Sequence, residues 1–142
     1  ASQLYSSRLT MQKPEDHVVL PEIISKEPLG AWVRRGDEQW FTLVRWTLYA
    51  MIGAEELGIT KANLAEMMKS ENPEVRRFLG IDGRFGEQLG VGNDWTQRII
   101  RHVGNYGEVF ERNLGKGSKL GIERGLNRLW TQGGLIYAPP VR

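Results

Sequence analysis

The sequence contains no cysteine, which removes disulfides, thiolate metal sites and cysteine nucleophiles together. That absence suits the cytoplasm and the bacterial periplasm equally. Histidine occurs only at positions 17 and 102. Neither His17 nor His102 has carboxylates at a spacing that would converge on a metal, so each reads as a solvated or hydrogen-bonded imidazole. No run of residues approaches the roughly 18 consecutive apolar positions that a membrane-spanning helix needs. The opening Ala1-Ser2-Gln3-Leu4-Tyr5 lacks the basic start and apolar stretch of a secretion signal. Charge imbalance is also slight: 19 Lys and Arg face 17 Asp and Glu, for a net charge of +2. The pI of about 9.1 reflects that small excess and gives little reason to expect nucleic acid as a partner.

What is present is an ordinary globular composition, 40% apolar and 25% charged over 142 residues, enough for one modest core. The patterning changes along the chain. Residues 3–9 suit a short helix that Pro14 and its acidic neighbours end. His17-Val18-Val19-Leu20 reads as a buried strand, and residues 29–34 as a second, closed by the turn Arg35-Gly36-Asp37. Two short strands make a marginal sheet alone, so the rest of that sheet is expected elsewhere.

From Asp37 the period lengthens from about 2 to about 3.6. Asp37 is an N-cap candidate for a helix over 38–57, with Phe41, Val44, Leu48 and Met51 as its apolar stripe and Gly58 as a left-handed cap. Trp40, Trp46 and Tyr49 widen the stripe, which predicts burial on more than one side. A shorter helix is expected over 60–69, and another over 73–79 with Asn72 as N-cap, Pro73 at its first position and Gly80 beyond its end. Residues 80–92 read as a glycine-rich loop. Residues 94–114 carry the cleanest stripe, weakened by Gly104 and Gly107 into two helices meeting at a bend, with Glu108 and Arg112 as a one-turn pair. A last helix is expected over 122–132, burying Ile122, Leu126, Leu129 and Trp130.

None of this assembles a reaction centre. Glu55 and Glu56 point about 100° apart on a helix and read as a solvated helix end. Ser6-Ser7 has no base in relation to it. Gly80 to Gly86 lacks the strand-to-helix context and the Gly-Lys-Ser/Thr of a phosphate loop. Arg98, Arg101, His102 and Arg112 form a basic strip that Glu108 and Glu111 dilute, which is an exposed helix face rather than a nucleic-acid footprint. No catalysis, no cofactor and no metal are expected.

Several segments taken together carry a resemblance. Residues 19–30, Val-Leu-Pro-Glu-Ile-Ile-Ser-Lys-Glu-Pro-Leu-Gly, with Val33-Arg34-Arg35-Gly36-Asp37, resemble the return crossover of a type II periplasmic binding protein. Gln39-Trp40-Phe41, Trp46-Thr47-Leu48 and Ala54-Glu55-Glu56-Leu57-Gly58-Ile59 resemble one branch of that family. This branch is the general L-amino-acid-binding proteins of polar amino acid ABC importers. Gly104-Asn105-Tyr106-Gly107-Glu108, Phe110-Glu111-Arg112-Asn113, Leu129-Trp130-Thr131 and the ending Tyr137-Ala138-Pro139-Pro140 fit the same branch. Ala31-Trp32 departs from it, standing where a proline and a smaller apolar residue are usual.

The resemblance implies an α/β fold: the C-terminal part of a two-lobed type II periplasmic binding protein, mostly helical here with two or more short strands. Residues 1–24 would end the second lobe, 25–29 would be the hinge crossover, and 30–142 would be the C-terminal portion of the first lobe with a helical extension. The strands' partners would then belong to a preceding portion of the protein or to a swapped copy. The chain would be periplasmic and peripheral to the membrane, with its secretion leader outside this sequence. It would take part in capturing an L-amino acid between the lobes and delivering it to the ABC transporter permease. The groups that hold the ligand's charges would lie upstream. Ser2 and Gln3 would border the cleft at most, and Ser25, Lys26, Glu27 and Pro28 would form the hinge. A stand-alone helical interaction domain is the alternative reading, and an enzyme ranks third for want of converging groups.

Overall fold

In a computed structural model, residues 2–26 and 28–141 are described. Their α-helices are α1 (Ser2–Leu9), α2 (Glu38–Glu56), α3 (Leu64–Met67), α4 (Pro73–Phe78), α5 (Phe85–Gln88), α6 (Trp95–Val103) and α7 (Tyr106–Asn113). Short 3-10 turns cover Pro14–Asp16, Gly125–Asn127 and Trp130–Gln132. The fold is mostly helical. Its only β pairing among the described residues is a single parallel bridge between Leu129 and Ile136.

Local chemistry accounts for most helix boundaries. Asp37 accepts from the Trp40 amide at 3.0 Å and starts α2; Asn72 accepts from the Glu74 amide at 2.9 Å and starts α4, with Pro73 at the first position. Three helices end in the same way. After α2 the Gly58 amide reaches Glu55 O and the Ile59 amide reaches Ala54 O; Gly80 and Ile81 repeat this on Arg77 and Arg76, and Gly90 and Val91 on Glu87 and Gly86. Each glycine has positive φ, the left-handed residue this paired cap requires. The third of these caps closes α5, a turn of helix inside the stretch expected to be loop throughout.

The core gathers Ala50 and Ala54 of α2, Ile59 behind it, Leu64, Val75, Phe78, Leu79, Trp95 and Ile100. α2 packs across α6 and α7, and α3 rests on α6. Buried polar side chains tie the helices together. Thr96 Oγ1 and Gln97 Nε2 donate to the carbonyls of Phe78 and Leu79, both at 2.6 Å, so α6 satisfies the acceptors left open at the end of α4. The expected bend falls at Gly104, and Asn105 starts α7 through a reciprocal capping box with Glu108.

Several expectations are corrected. Residues 17–20 and 29–34 form no ladder among the described residues, because a strand without a neighbour has nothing to pair with. The stripe on α2 is displaced: Ala50, Ile52 and Ala54 are buried, whereas Trp40, Phe41 and Leu48 are exposed. Glu108 does not pair with Arg112. Its carboxylate accepts from the Asn105 and Lys61 amides, and Arg112 donates to Val103 O. The helix over 60–69 shrinks to α3. The helix over 122–132 is two 3-10 turns, because Gly125 at φ +49° and Gly133 at φ +79° leave the right-handed region. Leu129 is buried there as expected, but Leu126 and Trp130 are exposed.

Candidate functional site

Two surfaces and one buried contact distinguish this chain. The first surface is the segment between α1 and α2. Residues 18–33 make no hydrogen bond among the described residues, by backbone or side chain. Yet they carry Val18, Leu20, Ile23, Ile24, Leu29 and Trp32, all exposed, with Ile24 at 96% and Trp32 at 98%. Unpaired backbone beside large exposed apolar side chains is the signature of a surface that another segment covers.

The second surface is the outer face of α2. Asp37 fixes where that helix starts, and its 3.6-residue repeat brings Phe41 and Leu48 round to one side with Trp40 beside them. The Arg45 guanidinium lies 5.0 Å from the Phe41 ring centroid. α2 is thus apolar on two sides: one packs on α6 and α7 and the other is open.

The buried contact joins α2 to the C-terminal region. Arg124 donates through both terminal nitrogens to the Glu55 carboxylate and through Nε and Nη2 to the Asn127 carbonyl. Its Cζ lies 5.4 Å from the Tyr106 ring centre and 5.6 Å from that of Phe110. Both partners of the ion pair are nearly buried, at 13% and 12% side-chain exposure. Burial raises the pKa of the Tyr106 hydroxyl, an effect that Arg124 partly offsets. Sequence reasoning placed Glu55 in solvent. Its partner lies 69 residues away and no local spacing announces it. Glu56 points elsewhere, as the 100° rule requires, and accepts from Trp130 Nε1 at 3.1 Å.

The other residues singled out are scattered. Ser2 and Gln3 open α1, half-buried and exposed respectively. Ser25, Lys26 and Pro28 are exposed in the unpaired segment, and Glu27 lies outside the described residues. His17 bonds the Lys13 carbonyl through Nδ1 at 2.9 Å, and His102 is exposed on α6. In the basic strip Arg98 is paired with Asp94 at 2.8 Å, which holds the Asp94 carboxyl below its usual range. Among the described residues no three His, Asp or Glu side chains are grouped to hold a metal ion, and no helix is long and apolar enough to cross a membrane.

No family model matches the chain. Curated relatives do. It is 61% identical over 99% of its length to the General L-amino acid-binding periplasmic protein AapJ of Rhizobium johnstonii. It is 57% identical over 100% of its length to the Glutamate/glutamine/aspartate/asparagine-binding protein BztA of Rhodobacter capsulatus. It is 52% identical over 99% to the Putative amino-acid ABC transporter-binding protein YhdW of Escherichia coli K12. In each case it spans only 42% of the relative's own length. A solved ABC transporter periplasmic binding protein from Brucella ovis, with glutathione bound, superposes with a TM-score of 0.93 at 56% identity. The match covers 99% of this chain and 44% of that one.

Proposed function

We propose, from the premise that this chain is homologous over its length to the C-terminal part of periplasmic amino-acid-binding proteins of ABC transporters, that it forms the closing portion of such a solute-binding protein. On this reading residues 1–24 end the second lobe, 25–29 are the crossover, and 30–142 complete the first lobe. The observation that carries it is that the unpaired, apolar segment 18–33 and the outer face of α2 are both left exposed. A preceding portion of polypeptide would pair with the one and cover the other. A swapped copy would do so equally well.

The ligand class is an L-amino acid or a molecule carrying the same head group. The relatives' names span general, acidic and amide amino acids, and glutathione ends in a γ-glutamyl group with a free α-ammonium and α-carboxylate. Burying such a zwitterion requires a paired carboxylate and a paired guanidinium. Three arginines of this chain are already paired with its own carboxylates: Arg124 with Glu55, Arg98 with Asp94 and Arg76 with Asp82. On this reading the gripping charges belong to the preceding portion, with Ser2 and Gln3 at the border of the cleft and Ser25 to Pro28 as hinge. The assembled protein works in the periplasm, hands its ligand to the permease, and catalyses nothing.

Calorimetric unfolding with a panel of L-amino acids tests this. The chain alone should show no ligand-dependent shift. Joined by the N-terminal portion of a relative, it should gain about 2.7 kcal/mol at a ligand concentration 100 times Kd. A complex that forms but stays indifferent to every amino acid would refute the binding role. Failure to form any complex would refute the completion of the fold.

A further inference from the structure

Beside the Glu55–Arg124 pair, α2 turns a second face toward the C-terminal tail. Tyr49, Gly53 and Glu56 follow one another at helical spacing along one wall of a cleft of about 200 Å³. Phe78, Glu74, Trp130 and Pro139 line the rest. Gly53 lets the Phe78 ring pack closely on α2, since a Cβ there would lie 3.3 Å from that ring.

The chemistry of this cleft is one-sided. Glu56 Oε1 accepts from Trp130 Nε1, while Oε2 has no partner among the described residues. Burial raises the Glu56 pKa, and the charges of Glu55 and Glu74 raise it further. The guanidinium that might have answered is already held by Glu55, and no lysine or arginine among the described residues lines the cleft. Aromatic walls with an unanswered carboxylate match an organic cation, which gains ring and counter-ion contacts at once. The volume lies below that of a drug-sized pocket and suits a head group with a few carbons.

We propose that this cleft binds a small organic cation, a primary ammonium or guanidinium on a short aliphatic stem, with Glu56 as its counter-ion and Trp130 against it. The site goes beyond amino-acid capture, and every residue in it lies in this chain.

The test uses agmatine and cadaverine, which lack the α-carboxylate of an amino acid, with n-butanol as the uncharged control. The reporter is the Trp130 indole N–H resonance, identified by its loss in Trp130→Phe. Agmatine should shift that resonance saturably and n-butanol should not. Glu56→Gln keeps an acceptor for the indole but removes the charge, and should weaken binding by about tenfold or more, the loss of one charge-assisted contact. Glu74→Gln should weaken it less. Two results would overturn the site: no saturable shift of Trp130 across the millimolar range, or an unchanged affinity in Glu56→Gln. Amino-acid binding that fails while agmatine still titrates Trp130 would count against the transport reading alone.

Discussion

Asn105 donates its side-chain amide to the Ile59 carbonyl at 2.9 Å, across 46 residues of chain. Its other side-chain atom, Oδ1, accepts from the Glu108 amide at 2.9 Å. One buried side chain thus starts α7 and anchors it to the end of α2. Asn105→Ala should cost about 2–3 kcal/mol in denaturant unfolding, one lost cap plus one stranded buried carbonyl. Asn105→Asp should recover part of that, because it restores the cap but not the donor. Equal losses in the two variants would show that the cap contributes nothing, and an Asn105→Asp variant as stable as the parent would show the same of the Ile59 bond.

The Glu55–Arg124 pair should behave as a buried charge pair. Either Glu55→Leu or Arg124→Leu alone strands a charge in a nearly dry contact and should cost about 3 kcal/mol or more. The double substitution should cost clearly less than the sum of the two, and a thermodynamic cycle measures the difference. Arg124 also donates to the Asn127 carbonyl, so its removal should be the more harmful single change.

Glycines with the same sign of φ should not tolerate alanine equally. Gly36 at φ +86° has open space around a new Cβ, so Gly36→Ala should cost only the strain of the left-handed region, about 1 kcal/mol. At Gly80, φ +65°, the Cβ would sit 1.8 Å from the Asn93 carbonyl oxygen. Gly80→Ala must move backbone and should destabilise several times more. Chemical denaturation of the two variants side by side checks the ratio.

Opposite pH dependences should be separable by substitution. Hydrogen bonds from Arg76 and Arg98 lower the pKa values of Asp82 and Asp94. Their contribution is present above the ordinary aspartate value near 3.8 and is lost as pH falls through the lowered folded values. Glu56 has the other sign. Its raised pKa means the folded chain holds that proton more tightly, so stability falls as pH rises from the ordinary value near 4.5 through the folded one. Relative to the parent, Glu56→Gln should therefore gain stability as pH rises past the ordinary value near 4.5, whereas Asp94→Asn should be the less stable above the ordinary value near 3.8 and converge on the parent as pH falls below it. Thermal melts from the acid side of both values to neutrality read both signs.

Trp32 is 98% exposed. Trp32→Ala should leave unfolding of the chain within about 0.5 kcal/mol of the parent, as for an exposed side chain. It should nevertheless weaken association with the N-terminal portion of a relative, measured by titration calorimetry. A large loss of intrinsic stability would show that residues 18–33 already have a partner here.

What the sequence determined by itself is what depends on a few neighbouring residues. Asp37, Asn72 and the Gly58 and Gly80 caps were legible because a cap is satisfied by amides or carbonyls within one turn. The break at Gly104 was legible for the same local reason, and so was the divergence of Glu55 and Glu56. The motif resemblance added the two-lobed family, which composition and periodicity could not supply.

What only the tertiary structure decided is which surface meets which. The apolar arc of α2 contains two faces. The sequence does not say that Ala50 and Ala54 meet the helical core while Phe41 and Leu48 stay open, because hydrophobicity has no direction. Residues 17–20 and 29–34 have strand-like composition, but a ladder exists only where a second backbone lies beside the first. Glu55 with Arg124, and Glu56 with Trp130, are meetings of residues 69 and 74 positions apart. Side-chain charge marks these residues as able to pair, and only the packed chain chooses the partner.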